Sequence, residues 1–160
     1  MKTVKGDLLE LDHNIDAAAH VANLFHTFGG GIAAQIAAKF PKVAEVDKTE
    51  TDYGYRGKLG TFTKAKVENI WFYNLYAMPS EPGNDTILGD RNLSYDYFYN
   101  GFVDIIEDLF EIPYKKFFQI GIPFKIGCGL AGGRWEVVKG LLEALETRFN
   151  QIVFVCFDND

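Results

Sequence analysis

Apolar positions along the chain follow two rhythms. Short continuous runs bounded by polar or glycine positions, as expected of buried strands, occur at Thr3 to Lys5, Asp16 to Ala22 (DAAAHVA), 117 to 123 and 152 to 157 (IVFVCF). Two more strands are predicted, GKLGTFTKAKV and NIWFYNLYAM, with a turn near Glu68 and Asn69. The helical rhythm is clearest in Tyr95, Phe98, Phe102, Ile105, Leu109 and Ile112, which step by three and four. It recurs in Trp135, Val138, Leu141, Leu142, Leu145 and Phe149. A third helix is predicted from Gly31, with Ile32, Ile36 and Phe40 every fourth residue and Pro41 marking an interruption or a new turn. The polar stretch MPSEPGNDTILGDRNLS, residues 78 to 94, is long enough that a binding or gating role is expected of it rather than simple connection. The resulting order, ββαββαβαβ, predicts a single three-layer α/β/α domain over residues 1–160, with a central mixed sheet that binds ligands at its strand ends.

Composition narrows the function. The 160 residues match one ordinary domain, and 48% apolar against 24% charged content gives ample material for a packed core. A formal charge of −6 argues against a nucleic-acid backbone as partner, because such binding rests on a basic stripe. Met1 to Glu10 has no apolar run like a leader, and no window is apolar enough to cross a bilayer, so a cytoplasmic, non-membrane protein is expected. Cys128 and Cys156 are too few for a disulfide framework, and His13, His20 and His26 have no cysteine partners near them, so no metal site is expected.

Two glycine clusters carry the candidate chemistry. Gly29, Gly30 and Gly31 stand directly before the predicted helix, where unpaired N–H groups and the positive end of the helix dipole receive anions. A plain flexible turn would use the same residues. The second cluster, residues 127 to 133 (GCGLAGG), again joins a strand to a helix, and the two together would suit a ligand with two adjacent phosphates. Gly127, Gly129 and Gly132 also satisfy GxGxxG, with Asp158 where a dinucleotide fold puts its ribose acid; that fold needs several βα units after the motif, and one strand follows here. No GK[ST] follows, so a Walker loop is excluded.

These residues resemble the macrodomain family of ADP-ribose-binding modules. The likeness rests on VKGDLLE from Val4, AHVANLFHTFGGGIAAQIAAKFP from Ala19 and IPFKIGCGLAGGRWEVV from Ile122, in the family's order and spacing. Within the family, the AH-x-x-N…GGGIA arrangement and the IGCGL loop look most like the branch containing the terminal ADP-ribose glycohydrolase and the fungal ADP-ribose 1″-phosphate phosphatase. The resemblance implies that Asp7 accepts from the adenine amino group and that the Leu8 amide meets the ring. It implies that Asn23 contacts the distal ribose and that Gly29, Gly30, Gly31 and Ile32 wrap that ribose and one phosphate. Gly127, Cys128, Gly129, Leu130 and Ala131 would wrap the pyrophosphate from the other side, with Phe157 beside adenine. Each has a structural alternative: a turn or cap for Asp7, local backbone partners for Asn23, the core for Phe157.

The glycohydrolase relative's lysine nucleophile and loop aspartate have no counterparts here, since no lysine lies near Ala77 and Ala131 stands at the aspartate position. The implied activity is therefore hydrolysis of ADP-ribose 1″-phosphate to ADP-ribose, with His26 as acid or base beside Asn23 and no obligatory metal or cofactor. His26 as a loop histidine or ribose contact is the alternative. Cys128 as a phosphate-attacking nucleophile is disfavoured because no arginine follows in its loop. Two other classes share the pocket: a non-catalytic reader or sequestering module for ADP-ribose, and a hydrolase of ADP-ribosyl esters, with ADP-ribosylated protein as a partner.

Overall fold

A computed structural model describes residues 1–11, 14–81, 89 and 91–160. Its strands are β1 (Lys2–Lys5), β2 (Ala17–Asn23), β3 (Phe62–Val67), β4 (Ile70–Met78), β5 (Phe118–Pro123) and β6 (Ile152–Asp158). Its helices are α1 (Gly31–Lys39), α2 (Pro41–Glu50), α3 (Tyr95–Phe110) and α4 (Trp135–Arg148). The six strands form one sheet in the order β1-β6-β5-β2-β4-β3, parallel except where β3 runs antiparallel to β4 at the edge. The expected central mixed sheet is present.

Each face of the sheet buries its own core. Ala17, Ala19, Tyr73, Leu75, Ile120 and Phe154 point to one side, where Phe98, Phe102 and Ile105 of α3 and Val138, Leu142 and Leu145 of α4 cover them. The intervening positions Ala18, Phe72, Val155 and Phe157 point to the other side, against Ile36 of α1 and Val43 and Val46 of α2. This alternation along each strand makes the three layers, because successive strand side chains leave opposite faces.

Two boundaries differ from the sequence expectation. Pro41 begins a second helix: Phe40 closes α1 with its N–H on Ile36 O at 2.7 Å and then stands as N-cap of α2, with Pro41 at its first position. Proline suits that position because its missing N–H would have no partner there anyway. The element order is thus ββααββαβαβ. The strand expected from 57 starts at Phe62, because Arg56–Lys58 form a single 3-10 turn closed by Leu59 N–H on Arg56 O at 3.1 Å.

The topology places a crevice. From β2 the chain crosses through α1 and α2 toward β3 and β4, whereas α3 returns it on the opposite face to β5, on the other side of β2. Neighbouring crossovers that depart on opposite faces leave an opening beyond the C-terminal ends of the strands. At the end of β2 the pairing with β4 slips by one residue, from Ala22 opposite Tyr76 to Asn23 opposite Met78. Such a bulge twists the strand and re-aims its last side chain.

Candidate functional site

A cavity of about 790 Å³ occupies this crevice, within the ~300–1,000 Å³ usual for small-molecule sites. One wall is the first glycine loop and the start of α1, from Gly29 to Ala33. Gly30, the N-cap, supplies no side chain to the helix N–H groups, and no acidic residue sits in the first turn. The positive end of α1 therefore opens on the cavity uncompensated. Gly31 enters the helix at φ +55, a left-handed conformation that glycine adopts without the cost a side chain would add.

The opposite wall is built from Gly127, Gly129, Leu130 and Ala131. Here the loop closes on itself: Gly132 N–H bonds Gly129 O at 3.0 Å and Gly133 N–H bonds Gly127 O at 2.9 Å. The two glycine loops thus differ in kind, although the sequence predicts that both join a strand directly to a helix. The first presents a helix N-terminus, whereas the second presents a turn, and α4 starts beyond it with Arg134 as N-cap. Within the described residues, the N–H groups of Gly129, Leu130 and Ala131 have no hydrogen-bond acceptor. Leu130, 92% exposed, crosses the mouth so closely that a Cβ on Gly30 would meet its Cδ1 at 3.0 Å.

Asn23 lines the cavity at the end of β2. Its Oδ1 accepts from Phe25 N–H at 2.8 Å, and its Nδ2 donates to Thr27 Oγ1 at 2.8 Å, shaping the loop that leads to Gly29. His26 lies on that loop but is not part of the cavity wall. At φ +54 its backbone carries the ring toward the end of α2, where Nε2 meets Thr51 Oγ1 at 2.9 Å and the ring stands edge-on to Tyr53. The structure therefore separates the two residues assigned a catalytic role from sequence: Asn23 in the wall, His26 behind it.

Asp7, Leu8 and Phe157 are not part of the cavity wall. Asp7 Oδ1 accepts from Leu9 N–H at 2.9 Å, the local turn its structural alternative anticipates. Leu8 and Phe157 are buried together beneath Gly121, whose Cβ would meet them at 2.8 and 3.2 Å. Phe124, which does line the cavity, donates its N–H to Phe157 O at 3.0 Å. Ile32 belongs to both regions, packed on the α1–α2 core and exposed to the cavity. Cys128 is also outside the wall. Burial pushes its thiol up to about 11, with Lys125 opposing and Glu136 adding, so it stays protonated and unreactive at neutral pH.

Among the described residues of the wall, three that titrate carry no role in the sequence reading: His20, Glu81 and Lys125. His20 is buried, and its Nε2 lies 2.6 Å from Asn74 Oδ1. Because Asn74 Nδ2 is spent on Val43 O and Thr63 Oγ1, Oδ1 is the acceptor and His20 carries its proton on Nε2. Burial lowers its pKa to about 4, the hydrogen bond opposing, and Nδ1 is left buried with no hydrogen-bond partner. From Asn74 the polar chain continues through Thr63 Oγ1 and Tyr76 OH, 2.9 Å apart, to Asp47 Oδ1 at 2.6 Å. The residues 82–88 and 90 of the expected binding loop, and His13, lie outside the described residues.

No protein-family model matches the chain. An uncharacterized 17.5 kDa protein from the tk-vs intergenic region of Enterobacteria phage T4 is 28% identical over 159 residues, covering 96% of this chain and 94% of that protein. The macrodomain of DarG from Mycobacterium tuberculosis superposes with a TM-score of 0.73 at 18% identity, covering 99% and 97% of the two chains. A macrodomain protein from Streptomyces coelicolor gives 0.73 at 20% identity, with 99% of both chains covered. DarTG of Thermosipho africanus, solved in complex with ADP-ribose, gives 0.71 at 18% identity over 98% of this chain and 42% of that one. At these identities the likeness is one of fold.

Proposed function

We propose that this chain, which has the macrodomain fold, binds ADP-ribose in the crevice beyond β2 and β5 and hydrolyses ADP-ribose 1″-phosphate to ADP-ribose and phosphate. The observation that carries the reading is the opposition of two sets of neutral backbone donors across one cavity: the uncapped start of α1 and the N–H groups of Gly129 to Ala131. A pyrophosphate has acceptor oxygens on both sides and fits between such walls. Its two sugars then extend in opposite directions along the crevice.

Asn23 sets which end takes the distal ribose, since its amide both donates and accepts, as hydroxyls require. Adenine goes to the other end, beyond Phe124, toward Asp7, Leu8 and Phe157. That a neighbouring fold was solved in complex with ADP-ribose supports this choice of ligand. At the wall itself, Ala131 and the cationless end of β4 around Ala77 favour phosphate release over lysine-dependent removal of ADP-ribose from protein. His26, held on Thr51, acts through the loop it shapes rather than on the substrate.

Calorimetry with ADP-ribose tests the pocket, and an inorganic-phosphate assay with ADP-ribose 1″-phosphate tests the reaction. Binding together with phosphate release is the expected result. Absence of binding at several hundred micromolar ADP-ribose would overturn the reading, and binding with no release would replace the phosphatase by a reader of ADP-ribose.

A further inference from the structure

Hydrolysis in this crevice needs a group that takes a proton from the attacking water. Among the described residues of the wall, three side chains titrate, and two are unsuited. His20 has its Nε2 proton committed to Asn74, and its Nδ1 is buried. Lys125 follows Pro123, opposite Phe157 in the β5–β6 register, and so belongs to the adenine end. Glu81 remains, the one carboxylate among the described residues of the wall.

Its placement follows from backbone geometry. Met78, the last residue of β4, stands opposite Asn23, so the chain leaving β4 runs beside the end assigned to the distal ribose. Two residues on, Ser80 is clamped: Asn92 Oδ1 accepts Ser80 N–H at 2.9 Å, and Asn92 Nδ2 donates to Ser80 O at 3.0 Å. Asn92 is in turn tied to the second glycine loop, its own N–H bonding Ala131 O at 2.9 Å. The residue before Glu81 is therefore held on both its backbone groups between Asn23 and Ala131. A fixed backbone limits the region that the Glu81 carboxylate can reach, which is the positioning that proton transfer requires.

We propose that Glu81 is the general base of this site. The inference rests on the phosphatase reading above. In the step it serves, the water oxygen bonds to phosphorus as one water proton passes to a Glu81 carboxylate oxygen. The bond from phosphorus to the anomeric oxygen breaks, its electron pair stays on that oxygen, and solvent supplies the proton that makes the product hydroxyl. ADP-ribose and inorganic phosphate leave, and Glu81 returns its proton to solvent. Negative charge developing on phosphorus is met by the N–H groups of both glycine walls.

The test compares wild type with Glu81→Gln, which keeps size and removes the base, and with Glu81→Asp. For Glu81→Gln, ADP-ribose affinity is expected within about threefold of wild type, whereas phosphate release falls by about 100-fold or more. The acid limb of the kcat–pH profile disappears in Glu81→Gln and survives in Glu81→Asp at a reduced rate. Glu81→Gln releasing phosphate within a few-fold of wild type, with an unchanged profile, would overturn Glu81 as base and leave the phosphatase reading standing. Wild type that binds ADP-ribose and releases no phosphate would overturn both.

Discussion

His20 shows how one residue sets a condition on the whole molecule. Folded, its imidazole resists protonation until about pH 4, whereas the exposed side chain of the unfolded chain titrates near 6.5. Below pH 6.5 the unfolded state gains a proton that the folded state refuses, so stability is lost as pH falls. The loss levels off near pH 4, where the folded group is protonated too, and amounts to something on the order of 3 kcal/mol. A melting-temperature series on wild type and His20→Gln checks this: the drop between about pH 7 and pH 4.5 is expected to be smaller in the variant. Equal drops would mean that another group carries the acid sensitivity. The same residue was plain in the sequence only as one of three histidines without metal partners. Its tautomer depends on Asn74, 54 positions away, and no local pattern connects the two.

At the scale of elements, the strands and the two helices with full apolar stripes were legible because burial on one face or two imposes a period on the sequence. Helix α2 was not. Its apolar contribution to the core is Val43 and Val46, too narrow a stripe to stand out, and the proline that starts it reads equally as a stop. Both glycine walls were legible as residues, and Asn23 with them. Their geometry was not, since a helix start and a self-closed turn share a glycine-rich composition. Glu81 and Lys125 were missed for a related reason: they enter the wall through strand order, which brings the ends of β4 and β5 beside β2. The turn can be tested directly. Gly127 sits at φ +73, and a Cβ there would meet Leu93 Cδ2 at 2.7 Å. Gly127→Ala is expected to cost about 2–4 kcal/mol from backbone strain and overpacking together. Thermal unfolding should show a fall in Tm of about 5–12 °C. An unchanged Tm would show that the loop relaxes without penalty.

Over the whole molecule, the formal charge of −6 and the proposed anionic ligand are compatible because the donors that the two glycine loops offer are neutral backbone N–H groups. Fixed dipoles act at contact distance and salt barely screens them there, whereas the net charge acts through solvent over a Debye length of about 8–10 Å. Raising salt from about 20 mM to about 300 mM should therefore leave ADP-ribose affinity unchanged or up to about twofold tighter. Calorimetry at the two ionic strengths measures it; a marked weakening with salt would mean that a cation such as Lys125 supplies most of the binding. The clamp of Asn92 on Ser80 has a further bearing on how such a molecule can change over time. It joins Ser80, just beyond β4, to Asn92, just before α3. Closing a segment whose ends are already joined adds little entropy cost as its length grows. A change of length in the sequence between Ser80 and Asn92 is thus expected to cost the fold little, which makes this stretch one where a designer could graft a new recognition element onto an unaltered scaffold.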